Sequence, residues 1–179
     1  KSSRPGLPMV PTSMTVHETD NVNENADARN HTHYVDNTEK YVSWHFTIDD
    51  SIIIQEIPIN ENAWHAGDGY EGKGNRNSVA IEICVNYGSD FEKAKLNAIK
   101  LIHFLQENTT LEVIFPHKYW SGKNCPRKIL KEGWGIFLED ISNYKVKQEK
   151  DKYPVPSPSL IPLLSFLPID PKILWSCDH

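Results

Sequence analysis

Cysteine is scarce in this chain: Cys84, Cys125 and Cys177 are the only three in 179 residues. An odd number so widely spaced is not a disulfide framework. One thiol as a metal ligand and one buried in a strand is the simpler account, and Cys177 has no assignment. Long apolar runs are missing too, and none approaches the roughly 18–20 residues of a membrane-spanning helix. The opening Lys-Ser-Ser-Arg-Pro-Gly has no apolar signal core. The chain also starts without Met, as expected of a processed sequence. There is no long basic run, and the net charge of −5 argues against nucleic acid as the main ligand. Gly-x-Gly-x-x-Gly, the Walker loop, Gly-x-Ser-x-Gly and His-Glu-x-x-His are all absent. That excludes nucleotide-binding, serine-hydrolase and ordinary zinc-protease readings. No internal repeat is visible.

What is present is enough for one core. Hydrophobic residues make up 39% and charged residues 24%, and the length suits one domain plus an appendage. Residues 5–12 read as a proline-stiffened lead-in, and Ser13 to Thr19 as a strand with Met14, Val16 and Glu18 on one face and Thr15 and His17 on the other. Asn25 to Asn37 has helical character with Asn25 as its cap. Tyr41–Ile48 and Ser51–Ile57 read as a hairpin around Asp49-Asp50, although the glycine usual in a tight turn is missing. Residues 60–77 look irregular and Ser78–Val85 returns to a strand. Asp90 to Glu107 carries the clearest helical stripe, Leu111–Phe115 a short strand, and residues 128–146 a last helix weakened by Gly133 and Gly135. From Tyr153 prolines become too dense for a regular helix. The expected division is therefore a domain over 1–147 and a proline-rich tail or linker over 148–179.

Chemistry concentrates between Phe115 and Arg127, where His117, Lys123 and Cys125 lie among turn-forming residues. An imidazole and a thiol suit Zn²⁺ but are too few alone. His17, on the polar face of its strand, is the best third ligand, although a lone strand histidine is more often structural. Two histidines and a cysteine would leave a fourth position open, as in catalytic zinc sites. Glu82 is a carboxylate inside an apolar strand. It reads either as a solvent-facing residue or as a general base near the metal. Lys123 reads either as a surface lysine or as an oxyanion stabiliser. His45, Trp64, His65 and Trp120 sit at loops and strand ends, where they could line a substrate groove or simply pack. His31, His33 and His103 are assigned to structure or surface.

Five separated segments carry a resemblance. They are Thr15-Val-His17-Glu-Thr19, Ser43-Trp-His-Phe-Thr-Ile-Asp49, Asn62-Ala-Trp-His-Ala-Gly-Asp-Gly69, the stretch from Gly74 to Cys84 and the stretch from His117 to Pro126. In this order they resemble the zinc-dependent N-acetylmuramoyl-L-alanine amidases, most closely the type-2 amidase domains of bacillus phage endolysins and autolysins. The likeness covers about residues 5–145. It implies an α/β fold in which a mixed central β-sheet is flanked by helices, related to peptidoglycan recognition proteins. It also implies His17, His117 and Cys125 as zinc ligands, Glu82 as the catalytic carboxylate and Lys123 as the transition-state-stabilising lysine. Relatives often have Asn where this chain has Glu18, and distant ones have Asp at the Cys125 position.

The resemblance makes bacterial peptidoglycan the expected partner. The bond cut would join the lactyl group of N-acetylmuramic acid to L-Ala of the stem peptide. A monomer without a membrane span is expected, made in the cytoplasm and reaching the wall by lysis, holin action or an unseen signal. Two rivals stand beside this reading. A non-catalytic peptidoglycan-binding module would be expected to have lost the metal set, and a structural zinc protein would need a fourth protein ligand.

Overall fold

Six strands and six helices follow one another in the computed structural model, which describes residues 2–144 and 174–176. Cys177 and nearly all of the proline-rich segment lie outside the described residues. The strands are β1 (Ser13–Glu18), β2 (Phe46–Ile48), β3 (Ile52–Gln55), β4 (Ser78–Ile83), β5 (Val113–Pro116) and β6 (Leu174–Ser176). They form one sheet in the order β5-β1-β4-β2-β3-β6. β1 runs parallel to β4 and β5, and β4 parallel to β2. β3 runs antiparallel to both β2 and β6. The sheet is mixed, as expected, and β6, inside the proline-rich segment, is its edge strand beside β3. Among the described residues no helix is long and apolar enough to cross a membrane.

Alternation along the strands divides the molecule in two. Met14, Val16, Phe46, Ile48, Ile53, Val79, Ile81 and Ile83 face one way and form the main core with α3 (Phe91–Asn108) and α6 (Trp134–Asn143). Asp90 caps α3 by accepting from Lys93 N at 3.1 Å. The stripe Ala94, Ala98, Ile102 and Leu105 is wholly buried. Each large aliphatic side chain on this face contributes roughly 1.5–3 kcal/mol. The opposite face carries Thr15, His17, Thr47, Ala80 and Glu82, and α1 (Ala28–Asn37) packs beside it through Ala28 and Val35.

Several boundaries differ from the sequence expectations for local reasons. The first helix begins at Ala28, because Asp27 rather than Asn25 caps it by accepting from Asn30 N at 2.8 Å. The turn after β2 needs no glycine, since Asp49 Oδ1 accepts from Ser51 N at 2.7 Å and Ile52 N at 2.8 Å. β2 starts only at Phe46, because Ser43 N bonds to Trp64 O instead of joining the ladder. Residues 60–77 include a short helix, α2 (Lys73–Asn77). The expected last helix is two helices, α5 (Arg127–Glu132) and α6, broken at Gly133, whose φ of 126° and ψ of 120° suit glycine alone.

Candidate metal centre

Register builds the centre. β1 pairs His17 with Glu82 of β4, and β4 pairs Glu82 with Thr47 of β2, so these side chains stand in a row on the polar face. β5 lies on the other side of β1 and delivers His117 just past its last residue, where His117 N bonds to Val16 O at 3.1 Å. The chain then turns through α4 (Lys118–Ser121) and the left-handed Gly122, bringing Cys125 back so that its carbonyl accepts from Lys118 N at 2.9 Å.

His17 Nδ1 lies 2.9 Å from His117 Nδ1 and 3.8 Å from Glu82 Oε1. One ligand atom from each of His17, His117 and Cys125 falls within 4.8 Å of the others, and all three residues are buried. The polar face of β1 is thus an interior surface. Burial, then neighbouring His65, His117 and Lys123, hold the His17 pKa well below its usual value. His117 is lowered by burial and by Lys123. Burial, with Glu82 second, pushes the Cys125 thiol up to about 12. Glu82 is pushed up to about 8, chiefly by burial, with Lys123 opposing and Glu18 adding to the rise. Its Oε2 is buried without a hydrogen-bond partner.

Two imidazoles kept neutral, a buried thiol and a carboxylate oxygen without a hydrogen-bond partner are what a borderline-soft divalent cation would resolve. A nearby cation also reverses the local proton preference, since a coordinating thiol deprotonates. The residues present fit zinc.

Glu82 and Lys123 also line a cleft of about 880 Å³, whose walls include Asn23, Asn30, His31, Tyr34 and Trp44. The four residues expected at a groove are not among those lining it. His45 is wholly buried, with Nδ1 accepting from Ala80 N at 2.8 Å and Nε2 at 2.9 Å from Glu61 O, so neither nitrogen is free. His65 is buried behind His17, with Nδ1 3.0 Å from His17 Nε2. Trp64 lies beside Tyr70, and Trp120 donates to Thr15 Oγ1 at 2.9 Å while packing where a Cβ on Gly74 would stand. His45 and His65 are buried inside the fold, whereas Trp64 and Trp120 remain partly exposed outside this cleft. Tyr34, His31 and Asn30 were missed because helical spacing alone does not say what a helix faces.

A second omission is Glu18. Its carboxylate accepts from Lys128 N at 2.9 Å and Ile129 N at 3.0 Å, capping α5. Its own N–H meets Cys125 Sγ at 3.4 Å. Burial raises the Glu18 pKa, and the amide bonds partly offset this.

The family model described as N-acetylmuramoyl-L-alanine amidase matches residues 7–128. The chain belongs to this family. It is 50% identical to the N-acetylmuramoyl-L-alanine amidase CwlH of Bacillus subtilis (strain 168) over 159 residues, which cover 87% of this chain and 63% of that protein. It is 49% identical to XlyA of the same organism over 154 residues, covering 82% of this chain and 51% of XlyA. The solved catalytic domain of XlyA superposes with a TM-score of 0.75 at 49% identity, covering 78% of this chain and 92% of that one. The chain thus spans between half and two thirds of the length of these two curated relatives.

Proposed function

We propose that this chain is a zinc-dependent N-acetylmuramoyl-L-alanine amidase acting at the bacterial cell wall. Its substrate would be peptidoglycan, cut at the amide between the lactyl group of N-acetylmuramic acid and L-Ala of the stem peptide. The observation that carries the reading is the convergence of His17, His117 and Cys125 beside a Glu82 whose Oε2 has no partner. Family membership supports the choice of reaction. Residues 1–147 would form the catalytic domain, with β6 adding an edge strand to its sheet, and the rest of 148–179 a tail or linker.

His17, His117 and Cys125 would hold the zinc. When bound, it supplies Lewis acidity that polarises the scissile carbonyl and makes water a better nucleophile near neutral pH. Glu82 takes the proton from the attacking water and returns it to the nitrogen of L-Ala as the carbon–nitrogen bond breaks. Its Oε2, buried beside the cluster and bonded to no other group, has a lone pair free for the first of these transfers. Lys123, on the cleft wall beside Glu82, stabilises the negative charge that develops on the carbonyl oxygen. The cleft between α1 and the 117–125 loop would receive the glycopeptide, with Tyr34 and Trp44 offering apolar surface and Asn23 and Asn30 polar contacts.

The test is release of new L-Ala amino termini from purified peptidoglycan, followed together with reducing sugar and bound zinc. Amino termini without reducing sugar, abolished by a chelator and restored by Zn²⁺, are expected. Tight wall binding without release at stoichiometric zinc would replace the enzyme with a binding module.

A further inference from the structure

We propose that the Ser78 carbonyl, acting through His65, selects the tautomer of His17 whose Nδ1 is bare and directed at the metal position. The inference rests on the metal-site reading above. His65 Nε2 lies 3.2 Å from Ser78 O. A carbonyl oxygen can only accept, so the proton of this imidazole sits on Nε2. The ring is buried among uncharged groups, where a second proton would leave an unpaired cation. Its Nδ1 is therefore an acceptor. The atom facing it at 3.0 Å is His17 Nε2, which must carry the N–H. Neutral His17 then has its lone pair on Nδ1, which points at His117 Nδ1 and Glu82 Oε1. The reverse arrangement would set a bare His65 Nε2 against the lone pairs of Ser78 O in a dry interior.

His65 is itself fixed. Its N–H and that of Ala66 both donate to Asn75 Oδ1 at 2.8 Å, and Asn75 Nδ2 donates to Gly69 O at 3.0 Å. The His65 and His17 rings meet edge to face, with centroids 5.1 Å apart. His65, anchored through Asn75, thus steadies the His17 imidazole from behind. His65 touches no reacting atom and is a positioning residue, not a substrate contact. Outer partners of this kind typically change metal affinity about 10–100-fold.

Two measurements test this. In the metal-free full-length chain, ¹H–¹⁵N correlation of the histidine rings should show His17 protonated on Nε2 and bare on Nδ1; the opposite tautomer overturns the proposal. Zinc affinity, measured by competition with a chromogenic chelator, should fall about 10–100-fold in His65→Phe, which keeps a ring but loses both nitrogens. It should recover in part in His65→Gln, which keeps one donor and one acceptor. Wild-type affinity in folded His65→Phe overturns the proposal. If that variant does not fold, the ring tautomer of the unaltered chain decides alone. A wild-type chain that binds no zinc would sink the metal reading, whereas the tautomer result would still stand or fall separately.

Discussion

The same strands present two unlike surfaces one residue apart. Met14, Val16, Ile81 and Ile83 pack on α3 with no polar partner to satisfy, whereas Thr15, His17 and Thr47 bond to Ser78, His65 and Glu56, and Glu82 stands in register between His17 and Thr47. The first face tolerates exchange of one aliphatic for another at modest cost. The second depends on where each lone pair points. A mixed sheet covered on both sides can therefore devote one face to cohesion and keep the other for chemistry that cohesion would not maintain.

If this division is right, substitutions on the two faces should separate activity from stability. The largest effect is expected for Glu82→Gln: amino-group release should fall about 10²–10⁴-fold while zinc content and unfolding midpoint stay near wild type. Loss of zinc in parallel would mean that the carboxylate holds the ion instead of moving protons. On the opposite face Ile81→Ala should cost about 2–5 kcal/mol in urea unfolding. Its turnover per folded molecule should be unchanged, and a specific kinetic defect would blur the division. Glu18→Ala should cost about 1–3 kcal/mol, because one buried and one part-buried amide lose their acceptor. It should also weaken zinc retention, since the residue that brackets Cys125 Sγ no longer clasps α5.

The smallest effect concerns pH. His45 titrates at about 4 when folded, lowered chiefly by burial, against 6.5 as a free side chain. The unfolded chain therefore takes up this proton first, and stability falls as pH drops from 6.5 towards 4. His65, lowered by burial to about 3, has the same sign. Glu82, raised to about 8, has the opposite sign, with stability falling as pH rises from 4.5 to 8. The difference between wild type and His45→Gln isolates the one group. Its slope should be at most about 1.4 kcal/mol per pH unit between these limits and near zero above pH 7. An unchanged slope would show that His45 is charged in the fold.

The apolar face was legible because its signal is periodic: the α3 stripe and the alternation of β1 and β4 survive without knowledge of partners. The clustering of His17, His117 and Cys125 was legible through the five-segment likeness, not through spacing, since about a hundred residues separate His17 from His117. What stayed hidden depends on register and on the far end of each hydrogen bond. Nothing local distinguishes His45, whose two nitrogens serve the backbone, from His65, which backs His17. Glu18 looked like an incidental substitution until the 117–129 segment was seen to fold onto it. Asp49 replaced a missing glycine by side-chain bonds that no propensity scale registers.

The order of pairing also governs when the centre can exist. β1 is made first, yet both its sheet neighbours, β4 and β5, come at least sixty residues later, and Cys125 later still. A nascent chain emerging from the ribosome carries His17 long before anything can stand beside it. Such distant partnerships form slowly, because the intervening chain must be closed before any contact rewards it. No truncated translation product ending before Cys125 could assemble the three-ligand cluster.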